Sequence, residues 1–219
     1  MGGHIGIVHP QPFDPRTETG GGGYYQQVMK SGQVGTTLAG GAIIMAVQFS
    51  PAKTAGNPAY GHITRMELKY LRVYVLTTIA FAAAQLVDCY LFKCRGFTGA
   101  DTGGTPILPA TLDQKRQKAY ADSLFVSGGD IRIAATAALG AGTRTVEAQA
   151  QQTLCSFWSS AIGAASPYPS QWEYDEHSVP LILEEGEGFE IQNGTAYGGT
   201  GKCQYFVDMG WMETYGPGW

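Results

Sequence analysis

The segment Ala196-Tyr-Gly-Gly-Thr-Gly-Lys202-Cys203 comes closest to a catalytic signature in this chain, as a glycine-rich loop that would cradle phosphate ahead of a lysine. That chemistry needs Ser or Thr after the lysine to hold Mg²⁺, and a following helix whose N-terminal amides face the phosphates. Cys203 stands there instead, and the residues beyond it alternate as a strand. The segment therefore reads as a β-hairpin turn. Metal binding needs ligands that converge, and Cys89 and Cys94, five positions apart on one expected strand, would point to opposite faces. His4, His9, His62 and His177 are scattered, with no H-E-x-x-H or C-x-x-C, and read as surface or turn residues. Cys89, Cys94, Cys155 and Cys203 are too few and too spread for a disulfide framework, and read as buried, reduced thiols. No cofactor and no metal is expected.

Seven of the eighteen acids lie between Glu173 and Glu190: Glu173, Asp175, Glu176, Glu184, Glu185, Glu187 and Glu190. Two carboxylates can flank a glycosidic bond and several can hold Ca²⁺, but the ordered spacing of a Ca²⁺ loop is missing. Gly186 and Gly188 break the run as turn residues would, so a solvated turn rim is expected. There is no G-x-S-x-G elbow and no protease-type cysteine signature, hence no nucleophile and no expected enzyme activity. Phe157, Trp158, Tyr168, Trp172 and Tyr174 crowd a Pro- and Ser-rich stretch. Such rings cap an open end of the core, or stand exposed and stack on sugars or anchor a protein partner. Trp219, beyond the last expected strand, has the same two readings.

These residues must be positioned by strands. Thr64, Met66, Leu68 and Tyr70 alternate with Arg65, Glu67 and Lys69, which puts every second side chain on one face. The apolar phase then moves to Leu71, Val73 and Val75, so a bulge is predicted near Tyr70 to Leu71. Two further strands are expected over Ile131, Ile133, Ala135, Ala137, Leu139 and over Cys203, Tyr205, Val207, Met209, Trp211. Turn chemistry separates them, at Gly103-Gly104, Gly128-Gly129, Gly140 to Gly142, Asn193-Gly194 and Gly198-Gly199. Many short strands between such turns predict an all-β antiparallel sandwich. The one helix signal is the capping-box form Thr111-Leu-Asp-Gln114, opening a short surface helix through Tyr120.

The chain divides into an arm over 1–33, a sandwich over 34–214 and a tail over 215–219. The arm is rich in Gly and Pro. It is either a tail without fixed structure or an arm that orders on a neighbouring subunit through Ile5, Ile7, Val8, Phe13, Tyr24 and Tyr25. Glycine is 31 of 219 residues, about twice the usual ~7%, while charged residues are 15% against ~25%. The 44% of hydrophobic residues excludes pervasive disorder. The uncharged run Val73 to Val87 falls short of the ~20 residues of a membrane-spanning helix. Met1 to Pro10 lacks the basic start and apolar run of a secretory signal. With a net charge of −4 and scattered basic residues, no nucleic-acid partner and no membrane partner is expected.

Three phrases carry a resemblance: Asp101-Thr-Gly-Gly-Thr105, the run Asp130 to Val146, and Pro180 to Asn193 followed by Gly210-Trp-Met-Glu213. Over residues 34–214 the chain resembles tailed-bacteriophage virion proteins of the jelly-roll capsid decoration or cement type. The resemblance implies a non-enzymatic structural role on the capsid surface, with the major capsid protein and neighbouring copies as partners, commonly as a homotrimer. A tail, baseplate or fibre component is the nearest alternative. A carbohydrate-binding module using Trp158, Tyr168, Trp172 and Tyr174 comes next, and a glycan-degrading enzyme using Glu184, Glu187 or their neighbours last.

Overall fold

A computed structural model describes residues 22–35, 38–50, 63–107, 123, 125, 129–160, 162–165, 170–173 and 181–216. Among these there are strands and turns and no α-helix. The expected helix over Thr111 to Tyr120 lies outside the described residues, as do Ile5, Ile7, Val8, Phe13, Tyr168, Tyr174, Trp219 and the four histidines.

Two antiparallel sheets form a sandwich. The first is built on β4 (Ile63–Ile79) and β13 (Lys202–Gly216), with β1 (Gly22–Lys30) and β2 (Val34–Gly35) on β13, and β10 (Ser170–Glu173) and β11 (Leu181–Glu184) on β4. The second runs β6 (Thr105–Ile107), β7 (Asp130–Ile133), β3 (Ile43–Phe49), β12 (Glu187–Asn193), β5 (Gln85–Arg95), with β8 (Thr145–Val146) and β9 (Gln152–Ser159) on β5. The pairing is nested: β1 with β13, β3 with β12, β4 with β10 and β11, β5 with β9. Apart from β5 and β9, and the two short strands β10 and β11 that share one partner, consecutive members of that set lie in opposite sheets. This is the order of a jelly roll, a long antiparallel ribbon rolled into two sheets.

Alternation along β4 puts Thr64, Met66 and Leu68 inside, and Leu71, Val73, Val75 and Thr77 inside after a change of phase. The change is absorbed where Tyr70 pairs with Gly210 and Leu68 with Trp211, leaving Lys69 as the extra residue. The bulge thus sits beside the predicted place. On β13, Cys203, Tyr205, Val207, Met209 and Trp211 all face the core and are at most 1% exposed. Between the sheets the rings form a chain: Tyr25 stacks on Trp211 at 5.7 Å, Phe125 meets Trp211 edge-on at 5.8 Å and Phe49 at 5.5 Å. Trp211 Nε1 and Ser123 Oγ both donate to Glu213 Oε1, at 2.7 and 2.6 Å, so this buried carboxylate is hydrogen-bonded.

Four expectations are corrected. Residues 22–30, read as part of an arm, are a strand of the chain's own sheet, and Tyr25 is buried in its own core instead of anchoring another subunit. Tyr24, on the other face, lies over Gly210, where a side chain would collide with Tyr24 Oη and the Tyr70 ring. The strand expected to run from Ile131 to Leu139 stops at Ile133, and Leu139 makes only an isolated bridge to Ile43. The glycine-rich loop before Lys202 is no hairpin, because β12 and β13 belong to different sheets; it carries the chain across the sandwich. At the other end β13 continues to Gly216, past the expected boundary at 214.

Candidate functional site

The connection from β5 to β9 folds back on the outer face of the second sheet. Its two limbs pair through Thr98 N to Thr143 O at 2.9 Å and Thr102 N to Gly140 O at 2.9 Å. Beneath them Phe189 and Ile191 of β12 face the core, so Glu190 between them faces this flap. Arg144 Nε donates to Glu190 Oε2 at 2.8 Å and Nη1 to Asp101 Oδ1 at 2.5 Å, while Nη2 also donates to Glu190 Oε2. The Arg144 side chain is 1% exposed, lies 5.2 Å from the Phe97 ring, and Gln192 donates to the second Glu190 oxygen. Burial works against the Arg144 charge, and the hydrogen bonds and charges of Glu190 and Asp101 outweigh it, raising its pKa. Glu190 is therefore not part of a solvated rim. With solvent excluded and every arm of the guanidinium held, the triad clamps flap to sheet.

Glu184, Glu185 and Glu187 stay together at the turn between β11 and β12, as expected of a turn rim, with Glu184 N donating to Glu187 Oε2 at 2.9 Å. The turn at Glu185-Gly186, with Gly186 at φ 79°, carries the chain from β11 in one sheet to β12 in the other. Glu184 pairs with Arg65 at 3.4 Å, and Glu187 with Lys93 at 3.1 Å and Arg95 at 3.8 Å. Asp175 and Glu176 lie outside the described residues. Among the described residues no three His, Cys, Asp or Glu converge as metal ligands, and no helix is long and apolar enough to cross a membrane. All four cysteines are buried and free. Cys89 faces the core while Cys94 lies on the flap face, where burial, then Glu190, pushes its pKa up to about 12.

Of the expected surface aromatics, Trp158 is the one whose side chain the structure places in solvent, 71% exposed. Phe157, its neighbour on β9, turns inward. Trp172 lies on β10 opposite Leu71, in the other sheet. Trp158 pairs with half-buried Leu86 across β9 and β5. Four residues on, Ile162 is 70% exposed in the turn that docks on β4, where Gly163 N donates to Thr77 O at 2.9 Å. Ile79 ends β4, and the exposed Ala82, Ala83 and Ala84 lead into β5. The loop after β12 closes alongside: Gln85 donates to Ala196 O at 2.5 Å and accepts from Gly198 N at 2.9 Å, and Phe81 packs on Tyr197 at 5.3 Å. Residues 79–87, 156–160, 162–165 and 193–201, which border this end, contain no Asp, Glu, Lys or Arg, and Lys202, paired with Ile79, stands at their edge.

With Lys202 at its edge, this end of the sandwich presents mostly small, uncharged side chains with one indole standing out of them. Small side chains let another backbone approach closely, and the lack of charge keeps the desolvation cost low. Trp158 was legible in the sequence; the association of Ile79, Ala82 to Ala84 and Ile162 with it was not. The signal that was available is the absence of charge over three separate segments. Compared with protein-family models, curated proteins and solved structures, the chain matches none of them.

Proposed function

We propose that this protein is a non-enzymatic structural component of a tailed-bacteriophage virion, of the capsid decoration or cement type. It attaches to the major capsid protein and to copies of itself on the capsid surface through the uncharged end centred on Trp158. The observation that carries the reading is the joint exposure of Trp158 at 71% and Ile162 at 70% on segments without charged residues. Large aromatic side chains at the centre of a desolvated contact supply much of the binding energy of protein interfaces. The jelly roll supports the same reading, since two rolled sheets present rigid ends for lateral contact. Many copies of a modest contact, repeated over a shell, act together through effective concentration.

The test is sedimentation of purified protein with shells that lack it, comparing wild type with Trp158→Ala. Attachment at least tenfold weaker with an unchanged fold supports the proposal, and equal attachment rejects this end as the contact. The same exposed indole also fits stacking on a sugar ring. Saturable binding to a glycan, lost in Trp158→Ala while shells are ignored, would favour the carbohydrate-binding reading.

A further inference from the structure

The bulged pairing of β5 with β9 sets two cysteines face to face. Cys89 pairs with Cys155, while Tyr90 pairs with Thr153, which leaves Leu154 as an extra residue on β9. The bulge turns Leu154 and Cys155 inward together, so the Cys155 thiol points into the core instead of alternating outward. The two Sγ atoms are 3.0 Å apart, closer than ordinary non-bonded contact, and a disulfide needs them to approach by about a further 1 Å. The other two thiols have different surroundings. Cys94 lies under the flap, and Cys203, on the opposite sheet, reaches Thr77 Oγ1 at 3.9 Å.

We propose that Cys89 and Cys155 are a cross-linking site, a dithiol placed to form a disulfide that fastens edge strand β9 to β5. The oxidant is a small-molecule disulfide such as glutathione disulfide. Cys155, as thiolate, attacks one sulfur and expels one glutathione thiolate, giving a mixed disulfide. Cys89 then attacks the Cys155 sulfur and expels the second. The net change is two protein thiols and one glutathione disulfide converted to one protein disulfide and two glutathione thiols. Both sulfurs are buried, so the exchange proceeds when β9 opens; among the described residues this strand pairs with β5 alone. Closing the bond joins positions 66 apart in the chain and restricts the unfolded state accordingly.

The full-length chain, fully reduced, is incubated with glutathione disulfide near the onset of thermal unfolding, where β9 opens, then cooled. Intact mass is read together with thiol counting in denaturant. The expected product is two hydrogens lighter, keeps two of four thiols, maps to a Cys89–Cys155 cross-linked peptide and melts roughly 5–15 °C higher. Cys94→Ala and Cys203→Ala form the same product, and Cys155→Ala does not. Retention of four thiols, a persistent glutathione adduct, a different pairing or a lower melting temperature would each overturn the proposal.

Discussion

Arg144 holds two carboxylates, Asp101 and Glu190, at a place closed to solvent. Removing one partner from such a buried set leaves uncompensated charge and costs about 3–5 kcal/mol, whereas replacing all members by apolar residues of similar volume is often close to neutral. Arg144→Met is accordingly expected to lower unfolding free energy in urea by about that range, and Arg144→Met with Asp101→Leu and Glu190→Leu to recover most of it. A loss no larger than that of an exposed ion pair such as Arg65 with Glu184 would show that the clamp carries no strain. A second expectation concerns alkali. Burial raises Cys94 from 9.0 to about 12 and Cys203 from 9.0 to about 11. The unfolded chain loses these protons near pH 9 while the folded chain keeps them. Their contribution to stability is therefore complete below pH 9 and is lost as pH climbs towards 11 and 12. Cys94→Ala should flatten the fall in melting temperature above pH 9. At this scale the sequence was partly misleading: Glu190 sits among turn-like acids and glycines, and its burial is decided by Arg144, 46 positions away.

Strands were legible where large side chains alternate. Thr64 to Val75 revealed both a strand and its bulge, because a slip of phase in bulky residues has one structural remedy. Ala135, Ala137 and Leu139 kept the same period without forming a strand, since alanines contribute little to cross-strand packing. Strand β1 was read as an arm because its Gly-rich start resembles residues 1–21, although Tyr25 and Met29 share an inward parity. Deleting residues 1–21 leaves β1 and its pairing with β13 in place. Deleting 1–30 removes Tyr25 from its stack on Trp211 and strips one edge of β13, and should cost several kcal/mol, as large core truncations do. Equal stability of the two truncations would refute the assignment of β1 to the core. On β12, a Cβ at Gly188 would meet Val47 O at 2.0 Å and the Phe97 ring at 2.7 Å. Gly188→Ala is thus expected to part β12 from β3 and to displace Phe97, weakening amide-exchange protection along β3 as well as at Thr98 and Thr143 of the flap.

At the scale of the molecule, a sandwich could be inferred from strands and turns, but their order could not. The nested pairing joins β1 to β13 and β3 to β12, ends of the ribbon far apart in sequence, and local pattern carries no record of such partners. The same non-locality brings the turn after Trp158, with Ile162, onto β4 near Ile79. This surface, and the proposal that it seats the protein on a phage capsid, is tested most directly by electron cryomicroscopy of the intact particle at a resolution that traces this chain. The account predicts density for the jelly roll on the outer capsid surface, with Trp158 and Ile162 buried against a neighbouring subunit. Density on the tail, absence from the particle, or a capsid position with Trp158 facing solvent would contradict it.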